Sequence, residues 1–289
     1  MTMLENEKRP LEKPVAGKKQ WLMPVYHLLR KQGKPWLFSC ISLGGLFILW
    51  YLATAYKFEF YIRFSNIPTP FAVWQQAAEV AKSETFYVHI AKSLQRILTG
   101  FAIAALAGIT LGVLIGRSVW VYRLGMPAIE VLRPIPAIAW VPISIMLWPT
   151  SESSIIFITF VGAFYPILIN TIHGVHMLDE VFIRAGRSLG TSEWQLLWHV
   201  VLPGSMPSVF TGLEVGMGVA WVSLIAAEMI SGQYGVGYFT WESYSLVNYP
   251  SIVLGMITIG LLGLICSGAI RAIAHFVLPW RIDIHGRKL

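Results

Sequence analysis

Long apolar runs dominate this chain, and most of its polar residues are confined between them. Residues 36–56, 97–115, 155–172, 209–230 and about 252–270 are each close to the roughly 20 residues needed to cross a hydrocarbon core about 30 Å thick. A further run, 126–148, is interrupted, because Glu130 and Arg133 precede Pro134, Pro136 and Pro142. Prolines leave backbone carbonyls without donors, and lipid cannot satisfy them. This segment is therefore expected to break or bend where it faces protein or a water-filled cavity. Broken helices of this kind often line solute paths. In the second run, Gly100, Ala104, Gly108, Gly112 and Gly116 recur every fourth residue. Such a small-residue face lets helix backbones approach closely in lipid and predicts burial against protein. The pattern predicts an all-α polytopic membrane protein with six transmembrane helices spanning 36–280.

The connections carry their own signals. Residues 1–35 are polar and basic and read as a retained cytoplasmic tail, with 281–289 as a second one. Residues 57–95 have mixed charge, with an amphipathic helix expected over 71–81. The stretch 231–250 holds Gly232, Gly235 and Gly237 among Tyr234, Tyr238, Phe239, Trp241, Tyr244 and Tyr249, which suits a headgroup-level or re-entrant turn. Lys and Arg near membrane ends favour both termini inside. Lys57, Arg63, Lys82 and Lys92 in the first outer connection run against that bias.

Between the fourth and fifth runs lies a polar island, residues 179–208, with a definite layout. Asp179 is a candidate N-cap, and Gly190 suits the left-handed position that ends a helix. Ser192 and Gln195 have capping-box spacing and restart a short helix, which Pro203 is expected to stop. The prediction is helix, tight turn, helix.

The residues of this island also carry a resemblance. Ala185, Gly186 and Gly190, then nine residues from Thr191 to His199, then Val200, Val201, Leu202 and Pro203, reproduce a spacing. It is that of the E-A-A, three residues, G, nine residues, I-x-L-P loop of ATP-binding-cassette importer permeases, with Arg184 where the glutamate usually stands. The pieces RPIPAIAW, YPILINTIHGV and AAEMISG resemble the nitrate, sulfonate, taurine and bicarbonate branch of those permeases. The resemblance implies a type I importer permease fold in a bacterial inner membrane, working with a second permease subunit, as a homodimer or with a similar partner. It also implies cytoplasmic ATPase subunits that bind ATP and Mg, and a substrate-binding protein outside that delivers a small anion. Arg184, Ala185, Gly186, Gly190, Thr191, Leu202 and Pro203 would then form the coupling element. Pro134, Pro136, Asn170, Trp221 and Glu228 are candidates for the path.

Composition narrows the remaining classes. Of 289 residues, 55% are hydrophobic and 13% charged, and the mean hydropathy is +0.61, which excludes a soluble domain. The net charge of +7 sits mostly beside membrane segments, so it reads as a topology signal rather than a nucleic-acid surface. Cys40 and Cys266 both lie in apolar runs and suggest neither a disulfide framework nor a metal site. His173 and His176 stand three apart with no convincing carboxylate or thiol beside them. There is no G-x-x-x-x-G-K-[ST] stretch to cradle phosphates, so no catalytic, cofactor or metal site is expected in this chain. Two carboxylates fall inside the fifth run, Glu214 and Glu228, separated by roughly 20 Å of helical rise. Glu214 lies within depth reach of Arg133 or Arg271; Glu228 reaches neither.

Overall fold

A computed structural model describes residues 23–56 and 66–280; both chain ends, with Lys57 and Arg63, lie outside the described residues. The chain divides into two units, Met1–Ser65 and Asn66–Leu289. The first unit holds α1 (Met23–Ala55), whose span Phe38–Ala55 presents apolar side chains along nearly its whole surface. Thr54 is buried, and its hydroxyl donates back to the Trp50 carbonyl at 2.9 Å, which satisfies that polar group within the helix.

In the second unit, α2 (Pro70–Val80) is capped by Thr69 and leads into α3 (Glu84–Arg117). The second crossing is thus the end of a longer helix that begins well before Ile97 and carries His89, Ser93 and Arg96 into the buried interior. A single residue, Ser118, caps the next helix, α4 (Val119–Leu132). The chain then breaks at 133–136 and continues through a 3-10 turn (Ala137–Trp140) into α5 (Val141–Leu147). The two arms are bent by 86°. Pro134 and Pro136 make the break, as the sequence predicts. Pro142 does not, since it occupies the first turn of α5, where no intrahelical N–H is needed.

Next come α6 (Ser151–His176), the short α7 (Glu180–Ser188) and α8 (Glu193–Leu196), a π-turn (Leu197–Val201) and α9 (Leu202–Ser231). Pro203 does not stop the helix. It lies in the first turn of α9, and the π-turn just before it rearranges the hydrogen bonds where proline has no N–H to offer, so the helical path runs on. A helix in the 231–250 connection, α10 (Val236–Ser245), and the last crossing, α11 (Tyr249–Val277), complete the chain. Five helices among the described residues are long and apolar enough to cross a membrane, and there are six such spans if the bent pair is counted as one.

The core is α6 held between α3 and α9. The small-residue face of α3 lies against α6: a methyl added at Gly108 would meet Ile167 at 2.9 Å, and one at Gly112 would meet Thr171 at 2.6 Å. Contacts advance together, from Gly100 on Thr159 to Gly116 on Val175, so α3 and α6 run parallel. Along α9 they run in reverse, with Gly212 against Asn170 and Gly216 against Ala163. Two parallel neighbours require a return crossing between them, and the bent α4–α5 segment supplies it. Because the α3–α6 seam has no spare room, Gly112→Val should lower stability by about 1–3 kcal/mol. Thermal unfolding in detergent checks this, with Gly218→Ala, where an added methyl meets open space, expected to melt like the native chain.

Candidate functional site

Three features could carry function, and they lie at different depths of the bundle. At one end, beyond the last turn of α6, the polar island folds as a capped hairpin. The Asp179 carboxylate accepts from the Val181 N–H at 2.9 Å, and Gly190 takes φ +78°. The Ser192–Gln195 capping box is closed in both directions. Gly186 sits under the corner, where an added Cβ would lie 2.6 Å from Leu196 Cδ1, and its carbonyl accepts from the Thr191 hydroxyl at 2.7 Å. Glu193 binds Arg187 at 2.9 Å and also pairs with Arg117 at the end of α3, tying the hairpin to the bundle. Among its exposed charged residues the hairpin also presents large apolar side chains to the outside: Val181, Phe182, Leu189, Trp194 and Trp198. Trp194 and Trp198 meet edge to face, 5.6 Å apart.

At the opposite end is a buried ionic network. Arg96 of α3 donates through Nη1 to Glu228 Oε1 at 2.9 Å and through Nε to Glu152 Oε2 at 2.9 Å, and its Nη2 pairs with the other Glu152 oxygen. The Glu228 carboxylate also accepts from the Ser93 hydroxyl at 2.8 Å and the Gly237 N–H at 2.9 Å. Ser93 accepts from the Val236 N–H at 2.9 Å, and His89 Nδ1 accepts from the Gly235 N–H at 3.0 Å. Gly235, at φ +126°, has its Cα against the Glu228 carboxylate where a side chain would collide. The turn before α10 is therefore wrapped onto α3 and α9 by one carboxylate and one guanidinium. Above it, the nearby Glu242 carboxylate raises the Tyr238 phenol above its ordinary value.

Between the two ends, a cavity of about 290 Å³ opens beside the break in the third crossing. Its wall is Arg133, Ile135, Pro136 and Ala137 from the break, Val161 to Asn170 in part from α6, and Val215 and Val219 from α9. Pro166 of α6 removes the donor that the Gly162 carbonyl would have used, and Asn170 Nδ2 donates to the Pro166 carbonyl at 2.8 Å.

A protein-family model described as "Binding-protein-dependent transport system inner membrane component" matches residues 108–282. The chain belongs to this family. Among its relatives, the nitrate import permease protein NrtB of Leptolyngbya laminosa is 39% identical over 190 residues, 66% of this chain and 68% of that protein. The taurine transport system permease protein TauC of Escherichia coli K12 is 31% identical over 223 residues, 75% of this chain and 81% of that one. A chain of the MetNI methionine ABC transporter, solved in inward-facing conformations, shares the fold, with a TM-score of 0.56 at 18% identity. That alignment covers 64% of this chain and 93% of the other.

For this transport-system component, the structure places the residues singled out in the sequence in distinct parts of the bundle. Gly186, Gly190 and Thr191 close the hairpin corner, while Arg184 and Ala185 are exposed on α7. Leu202 and Pro203 stand where the hairpin enters α9, lining an apolar recess with Trp198 and Trp280. Pro136 and Asn170 line the cavity, with Pro134 in the adjoining break. Trp221 and Glu228 do not line it: Trp221 is packed in the apolar core, and Glu228 is fully buried in the ionic network. Glu214 takes Arg271, at 3.5 Å, as its partner. The residues that sequence reasoning missed are Arg96, Ser93 and Glu152. The available signal was Arg96 itself, standing three residues after Ser93 at the edge of an apolar run.

Proposed function

We propose that this chain forms the membrane-spanning path of an ATP-driven importer for a small anion. In this reading the hairpin at 179–208 faces the cytoplasm and both termini lie on that side. It docks on an ATPase subunit that binds ATP and Mg, while a substrate-binding protein loads the opposite end. A second permease subunit, in the simplest case another copy of this chain, completes the path.

The observation that carries the reading is the hairpin. An isolated surface loop gains nothing from exposing Phe182, Leu189, Trp194 and Trp198. A docking element does, because aromatic anchors on a rigid support supply most of the energy of an interface. Its caps, its glycine corner and the Glu193 ion pairs make it stiff. A stiff element passes the displacement of its partner on to α6 and α9 at its two ends. Relatives named for nitrate import and taurine transport support a cargo that presents an anionic nitrate or sulfonate group.

Reconstitution tests the proposal. Vesicles holding this chain with its ATPases, given binding protein and ATP, should take up nitrate or taurine, and vesicles lacking the ATPases or ATP should not. Uptake at full rate by the chain alone would instead establish a stand-alone channel or secondary transporter.

A further inference from the structure

We infer that Arg133 is the charge-selecting residue of the path, the cation that a small oxyanion meets inside the cavity. This rests on the importer reading above and adds the residue that reads the cargo's sign.

Depth comes first. α4 begins next to the hairpin end of the bundle, since Ser118 directly follows Arg117, which pairs with Glu193. The helix has 14 residues, so Arg133 stands about 20 Å along its axis from the hairpin end, beside the middle of α6. An ionisable side chain at that depth is costly unless it faces a partner or a watery cavity. Arg133 faces a cavity, and among the described residues its guanidinium has no ion pair or hydrogen bond.

Local charge comes second. The carboxylates that could cancel Arg133 are engaged elsewhere or out of reach. Glu214 is paired with Arg271, and Glu228 is paired with Arg96 at the far end. Glu130, one turn earlier in α4, is not within ion-pair distance. No Asp or Glu lines the cavity. Its wall is otherwise largely aliphatic, with the Tyr165 hydroxyl and the Asn170 amide as the other polar side chains. A single guanidinium in such surroundings attracts an anion strongly and presents paired N–H donors that suit a planar or tetrahedral oxyanion. Lone placement also permits release, because conduction requires binding weak enough to leave. The helix break is what puts the residue there. Pro134 and Pro136 end α4 just after Arg133, whose N–H still donates to the Ile129 carbonyl, so Arg133 stands at the corner where the chain turns along the cavity wall.

The test uses the assembled importer in vesicles, with nitrate and taurine as probes and ATP hydrolysis recorded in parallel. Arg133→Gln should cut uptake about tenfold, the loss of one charge-assisted interaction, with ATP hydrolysis still stimulated by the binding protein. Arg133→Lys should keep most of the rate. Because a substitution here could also impair assembly, Arg133→Cys on a Cys40→Ser, Cys266→Ala background provides a second arm. Modification with an aminoethyl methanethiosulfonate, which adds a positive charge, should restore uptake, and its neutral or sulfonated counterparts should not. Unchanged uptake by Arg133→Gln, or equal rescue by a neutral reagent, overturns the inference. If the native importer carries neither probe, it is the anion reading itself that fails.

Discussion

Arg96→Leu should destabilise the folded chain by about 3–5 kcal/mol, because it removes the only cation among the described residues that reaches a carboxylate with no solvent exposure. The two acids differ in what they lose. Glu152 keeps a side chain 46% exposed and can be hydrated when its partner goes. Glu228 is fully buried and would retain only the Ser93 hydroxyl and the Gly237 N–H. Removing both charges is a different experiment. Arg96→Leu with Glu228→Leu leaves no buried ion in the network, so part of the loss should return. The rest stays, because the Gly237 N–H, the Ser93 hydroxyl and the Tyr234 carbonyl each lose a partner. Thermal unfolding of the purified chain in detergent reads both variants. If the single substitution melts with the native protein, or the double melts below the single, the network is not the structural lock described here.

Such a lock was not legible in the sequence, and the reason is geometric. Arg96 and Glu228 are 132 residues apart, and their meeting depends on the relative registers of α3 and α9. No local pattern fixes that register. Apolar runs also end at charges by construction, which is why hydropathy starts the second crossing at Ile97 and leaves Arg96 outside it. The helix, indifferent to that boundary, starts at Glu84. The number of crossings, the break at Pro134 and Pro136, and the small-residue face of α3 were all readable, because each depends on local chemistry or on one helix's period. The hairpin was readable for the same reason: N-cap, left-handed glycine and capping box each act within a few residues. Pro203 shows the limit of local rules. It was expected to end a helix, but a proline in a first turn is compatible with one that starts there, and the chain's choice is visible only in the π-turn before it.

The other large effect is expected at Gly190, whose φ of +78° proline cannot adopt, since its ring holds φ near −65°. Gly190→Pro also deletes the N–H that donates to the Arg187 carbonyl at 3.0 Å. Opening that corner displaces Thr191 and Ser192, which bind Gly186 and cap α8, so the hairpin loses its closed form. The cost is about 3 kcal/mol or more, which lowers the population of the closed hairpin by roughly a hundredfold. The apolar crossings are untouched, so the protein should still reach the membrane, while its association with the ATPases weakens and ATP-driven uptake is lost. Gly190→Ala separates conformation from bulk. Its methyl meets nothing within 4 Å, and a left-handed alanine costs only about 1–2 kcal/mol, so partial uptake should survive. Co-purification of the ATPases and uptake in vesicles distinguish the two variants. Normal transport by Gly190→Pro would mean that the hairpin is a connection between crossings and transmits nothing.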